Sequence, residues 1–221
     1  FFTKKEISTF ILANVRYRMT GQEKPEEINK FKEAAQNFVK GHRVDEIKKI
    51  GNDVYEKYVS PKIWNGTICI AQEHLNQGLE VWLVTAAPQH MAELIAEKLG
   101  FTGALGTIAE VVDGKYTGKM IGEMLHGKSK AQAVEKLAKE RGINLENSYA
   151  YSDSHFDIPL LNSVGHPCAI NPDTLLRVKC HRESWEIFDF RKARRLNEFF
   201  GPFLARALSA ASYIKPPRRQ P

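Results

Sequence analysis

Apolar residues recur along this chain at two different periods, and the change of period divides it. Up to about residue 60 the spacing is helical. In KKEISTFILANVRYRM, Ile7, Phe10, Ile11, Asn14 and Val15 recur at i, i+3, i+4, i+7 and i+8, one stripe of an amphipathic helix. KPEEINKFKEAAQNFVKG opens with Pro25 and two glutamates and closes at Gly41, which are helix start and stop signals. RVDEIKKIGNDVYEKYV repeats the pattern up to Pro61. Three packed helices are predicted for this part.

Beyond residue 62 the texture alternates. WNGTICIAQEHLNQG predicts a helix ended by Gly78, and LEVWLVTAA is a nearly continuous apolar run, as expected of a parallel strand buried on both faces. QHMAELIAEKLG predicts a helix. ALGTIAEVVDGKYTGKMIG alternates around Asp113-Gly114, a strong hairpin signal. GKSKAQAVEKLAKERG is a helix, SYAYSD a second buried strand, IPLLNSVG a short helix, HPCAIN a third strand and DTLLRVKCHR another helix. Strands and helices in alternation predict an α/β fold: a Rossmann-like, doubly wound parallel sheet, here with a helical cap and a β-hairpin. The expected organisation is a cap over 1–62, an α/β core over 63–190 and a basic amphipathic extension over 191–221.

Composition narrows the class. The chain has 221 residues, 43% hydrophobic and 26% charged, proportions of an ordinary globular protein. A net charge of +6 favours anionic partners. Three cysteines without a CxxC point to a reduced, cytoplasmic setting with the thiols as packing residues. The segment 191–221 holds eight basic residues and one acidic one. Its apolar stripe packs on the domain, lies on an anionic membrane surface or meets a partner protein. Nucleic acid is not expected, since no binding motif accompanies the charge.

Three features fall where ligands bind in such folds, at the carboxyl ends of strands or at a helix start. Thr85 ends VWLVT, where a hydroxyl beside free backbone N–H groups holds a phosphate oxygen; its structural reading is a cap for the next helix. Lys128 opens a helix, where a cation opposes the helix dipole by roughly 0.3–1 kcal/mol unless an anion sits nearby; its structural reading is a solvated lysine, like Lys130 beside it. Asp153 and Asp157 follow YAYS, and a short acidic loop suits Mg²⁺, which takes one or two carboxylates with water and phosphate; its structural reading is a helix N-cap ahead of Pro159. His155 lies in the same loop as a rim residue.

Taken together, VWLVTAAP, HGKSKAQAV and AYSDSHFDIPLLNSVGHPCAINPD resemble the haloacid dehalogenase superfamily, in its phosphoserine-phosphatase-like branch (subfamily IB). The resemblance covers about half the chain. It implies a Mg²⁺-dependent phosphomonoester hydrolase acting on a small phosphorylated substrate through an aspartyl-phosphate. Thr85 would hydrogen-bond the phosphoryl oxygens, Lys128 neutralise their charge, Asp153 ligate Mg²⁺ and Asp157 orient Lys128 or a metal water. A lipid phosphomonoester is an alternative substrate class.

The sequence departs from that pattern in two ways. The family's nucleophile lies in a DxDx[TV] motif on a strand before the cap, and no such motif occurs here. The expectation is that this strand lies upstream of Phe1 and that the chain alone is inactive; a non-catalytic phosphate-binding module is the alternative. Second, Ala86-Ala87 follow Thr85 where Gly-Gly is usual in phosphoserine phosphatases, and Phe156 replaces a common Asn. The two methyl groups narrow the space for an amino-acid substrate, and Phe156 is bulkier and less polar than that Asn.

Overall fold

The structure, a computed structural model, describes residues 32–34 and 36–191. The first predicted helix and the basic C-terminal helix lie outside the described residues. Residues 32–34 and 36–39 are helical. Helix α1 (Val44–Val54) is followed by a π-turn (Tyr55–Val59) and a 3-10 turn (Ser60–Lys62) that ends the predicted cap helix at Pro61.

The remaining elements alternate as expected: α2 (Asn65–Asn76), β1 (Trp82–Pro88), α3 (Gln89–Leu99), β2 (Gly103–Val112), β3 (Lys115–Ile121), α4 (Lys128–Arg141), β4 (Tyr149–Ser152), α5 (Ile158–Leu161), β5 (His166–Ile170), α6 (Thr174–Glu183) and β6 (Glu186–Phe188). The fold is mixed α/β with parallel strands and covering helices. Among the described residues the strands form two three-stranded sheets, β1-β2-β3 and β4-β5-β6. β1 runs parallel to β2, β2 and β3 form the antiparallel hairpin, and β4, β5 and β6 are all parallel. The hairpin turn has positive φ at Asp113 (49°) and Gly114 (76°), as a type I′ turn requires. β6 was not legible, because three residues after a helix carry too little pattern.

Both faces of the second sheet are covered. Ala150 and Ala169 pack with Ala131 of α4, Leu160 and Leu161 of α5, and Leu176 and Cys180 of α6. On the other face Ile170 meets Ile70 of α2 and Phe190, with Tyr151 and Phe188 beside them. Alternate residues of β4 thus enter different clusters, the period-two logic of a strand. The small side chains of α3, Ala92 and Ala96, let it lie close on Ala104 of β2. α1 sits directly on α3: a Cβ added at Gly51 would come within 2.4 Å of the Met91 sulfur.

One cysteine departs from expectation. Cys168 and Cys180 are buried, whereas Cys69 lies on the outward side of α2 and is exposed, while its neighbour Ile70 faces the core. Among the described residues no helix is long and apolar enough to cross a membrane.

Candidate active site at the carboxyl end of β4

β4 delivers its last residues to a loop that turns at once into α5. Ser154 opens the turn, its hydroxyl accepting from the Phe156 N–H, and the Asp157 N–H donates to the Ser154 carbonyl at 3.1 Å. This folds Asp157 back toward β4. Its carboxylate, only 11% exposed, accepts from the Ser152 hydroxyl at 2.7 Å and pairs with the ammonium of Lys130, 2.8 Å from Oδ1 and 2.9 Å from Oδ2. Lys130 is itself 14% exposed. A buried charge persists when it is paired and hydrogen-bonded, and both partners meet that condition.

Lys128, the predicted cation, is exposed at the start of α4. The orientation of Asp157 toward Lys128 is therefore corrected: the structure pairs Asp157 with Lys130, the residue read from sequence as a solvated lysine. Helical geometry explains the difference. Two residues are about 200° around a helix, so only one of these lysines can face β4. Lys130, Val134 and Leu137 fall at i, i+4 and i+7, and Val134 and Leu137 line the cavity that Asp157 also reaches. That spacing was present in the sequence.

Asp153 stands at the mouth of the loop with its residue surface open to solvent. Its carboxyl is nevertheless crowded, and its pKa is held above the ordinary aspartate range. Desolvation is the first cause, and the negative charges of Asp157 and Asp173 add to it. Asp173 follows Asn171-Pro172 after β5. It caps α6 by accepting from the Leu176 N–H at 2.8 Å, and it also accepts from the His155 N–H at 2.8 Å and contacts the His155 Nδ1 at 2.9 Å. Its own N–H donates to the Asp153 carbonyl at 2.8 Å. These bonds hold the Asp173 carboxyl below the usual range, against the desolvation that would raise it. The signal was an Asp one residue before a helix, which reveals the cap but not the loop it clasps.

Thr85 lies in an irregular part of β1. The register with β2 shifts between Val84 and Pro88, so Thr85, Ala86 and Ala87 bulge from the ladder. The Thr85 hydroxyl accepts from the Ala87 N–H at 3.2 Å. It closes this turn and does not cap α3, whose N-cap is Pro88. Thr107 braces the bulge by donating to the Ala86 carbonyl at 2.9 Å. Gly106 is required beneath it, since a Cβ there would meet Gln89 Cα at 2.7 Å and the Ala87 oxygen at 2.8 Å.

Between the two sheets lies a cavity of about 510 Å³, lined by Trp82, Leu83 and Val84 of β1 and by Tyr149, Ala150 and Tyr151 of β4, with Asp157 at its wall. Among the described residues β1 pairs only with β2, and β4 only with β5. The strand edges bordering this slot are therefore open. His74 of α2 also borders it: one ring nitrogen bonds the Tyr151 hydroxyl at 2.8 Å, and the buried Nδ1 has no hydrogen-bond partner among the described residues.

Comparison with known proteins agrees with this geometry. The family model for haloacid dehalogenase-like hydrolases matches residues 6–162. The chain is 43% identical over 211 residues to a protein of Mycobacterium tuberculosis named phosphoserine phosphatase SerB1, an alignment that takes in 96% of this chain and 68% of the relative. Among solved structures, a Bordetella pertussis protein of unknown function superposes with a TM-score of 0.67 at 26% identity, covering 79% of this chain and 78% of that one. A phosphoserine phosphatase in apo form superposes with a TM-score of 0.52 at 27% identity, covering 73% and 76%. Strand order, the acidic loop after β4 and the family match over more than half the sequence lead to one conclusion: the chain belongs to the haloacid dehalogenase-like hydrolases.

Proposed function

We propose that this chain forms the phosphate- and metal-handling part of a Mg²⁺-dependent phosphomonoesterase that works through an aspartyl-phosphate. The observation that carries the reading is the buried Lys130–Asp157 pair beside Asp153 at the carboxyl end of β4. Lys130 is the cation that neutralises the phosphoryl oxygens, held in place by Asp157; it takes the role first assigned to Lys128. Thr85 donates its hydroxyl to a phosphoryl oxygen from the bulge after Val84.

The residues present fit a divalent ion. Asp153, with Asp157 and Asp173 near it, concentrates hard oxygen donors and negative charge that a cation would relieve. Among the described residues no three metal-ligating side chains are gathered, but Mg²⁺ needs only one or two carboxylates when water and substrate complete its shell. Asp153 would hold it. Bound Mg²⁺ supplies charge stabilisation on the phosphoryl oxygens.

The nucleophile is an aspartate outside this sequence. Asp45 and Asp53 lie on α1, Asp113 in the hairpin turn, and Asp189 beyond β6, ion-paired with Arg177 and Arg191. The open edges of β1 and β4 support a further strand between them that brings this aspartate to the end where Asp153 stands. Its carboxylate attacks phosphorus, the bond to the ester oxygen breaks, and water then hydrolyses the acyl phosphate. The test is the full-length protein with a generic aryl phosphate. Turnover should require Mg²⁺, stop with EDTA and be blocked by beryllium fluoride. Absence of turnover, or turnover indifferent to EDTA, would count against this function.

A further inference from the structure

Three aromatic rings gather at the acidic loop. Phe156 lies 4.2 Å from the ring of His155, centroid to centroid, and 5.0 Å from that of His126. The two histidines come from different loops. His155 follows β4; His126 precedes α4. The loops meet here, since a Cβ at Gly127 would lie 3.7 Å from the Phe156 carbonyl oxygen. Each flank is fixed. Asp173 clamps the His155 ring and its N–H. The His126 N–H donates to the Ser129 hydroxyl at 2.8 Å and to the Met124 carbonyl at 2.8 Å, while that hydroxyl donates to the Met124 carbonyl at 2.6 Å. All three residues are partly exposed.

A preformed aromatic face beside a phosphate site costs little ordering when a ring lies on it, and offset or tilted ring contacts at such distances are favourable. Ala86 and Ala87 each carry a methyl group where Gly-Gly would leave more room, which disfavours an amino-acid headgroup on the β1 side. We propose that His126, Phe156 and His155 form the wall for the leaving group, and that the substrate is a phosphomonoester whose leaving group carries a planar unsaturated ring. This rests on the phosphatase reading above.

The test compares kcat/KM of the full-length protein, with Mg²⁺, for 2-phenylethyl phosphate and 2-cyclohexylethyl phosphate. Both are primary alkyl esters of similar size, and they differ in ring planarity. The planar ring should be preferred by about fivefold. Phe156→Leu, which keeps apolar bulk, should bring the ratio to about one, and His126→Leu should reduce it in part. A wild-type ratio near one, or a ratio unchanged by Phe156→Leu, would overturn the wall while leaving the phosphatase intact. Hydrolysis of neither ester while the aryl phosphate is still turned over would overturn the wall alone; loss of aryl phosphate turnover as well would overturn both.

Discussion

Replacing Lys130 by Met separates the roles of the two lysines in the first turn of α4. The change keeps most of the side-chain length and removes the charge opposite Asp157. Both partners are nearly enclosed, at 14% and 11% exposed. Removing one partner of such a pair leaves an uncompensated charge and costs about 3–5 kcal/mol. The Ser152 hydroxyl still donates to Asp157 at 2.7 Å, which places the expected loss near the lower end, about 3 kcal/mol. For a domain of this size each kcal/mol moves the melting temperature by roughly 2–4 °C, so a fall of about 6–12 °C is expected. Lys128→Met removes an exposed charge and should stay within about 0.5 kcal/mol of wild type. Urea denaturation followed by tryptophan fluorescence measures both. Asp157→Asn and the double variant complete a cycle, whose coupling should exceed about 1 kcal/mol. Equal stabilities for Lys130→Met and Lys128→Met, or a coupling near zero, would show that the pair is not formed.

Three further outcomes follow from the same geometry. Gly106→Ala should destabilise by about 1–3 kcal/mol, because its methyl meets backbone under the Thr85 bulge; a neutral effect in thermal melts would mean the bulge is built differently. His74 and His90 both have lowered pKa values, chiefly from desolvation, with Lys48 adding to the effect at His90. As pH falls below about 6.5 the unfolded chain takes up protons first, so stability is full above that pH and declines below it; His74→Gln with His90→Gln should flatten this part of the stability profile, and an unchanged profile would contradict the burial. Of the three cysteines in this sequence, a thiol reagent at neutral pH should label Cys69, which is exposed, and spare Cys168, whose pKa burial pushes up to about 12; peptide mapping decides.

Much of the core was readable because its signals are local. The Asp113-Gly114 turn needs positive φ and names its residues. The apolar runs VWLVT and YAYS read as buried parallel strands; both form parallel strands, though among these residues only Ala150 is buried. The loop residues Asp153 and Asp157 stood out because carboxylates are rarely placed at the end of a buried strand without a partner. What failed was direction and distance. Choosing between Lys128 and Lys130 requires the helical phase relative to β4, which a motif centred on the helix start ignores. The bond from Asp173 to His155 joins residues 18 apart in sequence through side chains, and no periodicity reports that. β6 is a three-residue strand whose position depends on β5, already in place. The break between the two sheets is likewise a property of pairing, invisible in either strand alone.

The most direct measurement is the turnover number of the full-length protein for an aryl phosphate with Mg²⁺, with Lys130→Met set against Lys128→Met under conditions where both are folded. Loss of a cation that stabilises the reacting phosphoryl group should lower kcat by about 10²–10³ in Lys130→Met, while Lys128→Met stays within about threefold of wild type. A Lys130→Met enzyme as fast as wild type, or one outpaced by its loss in Lys128→Met, would contradict the placement of the phosphate site at the carboxyl end of β4.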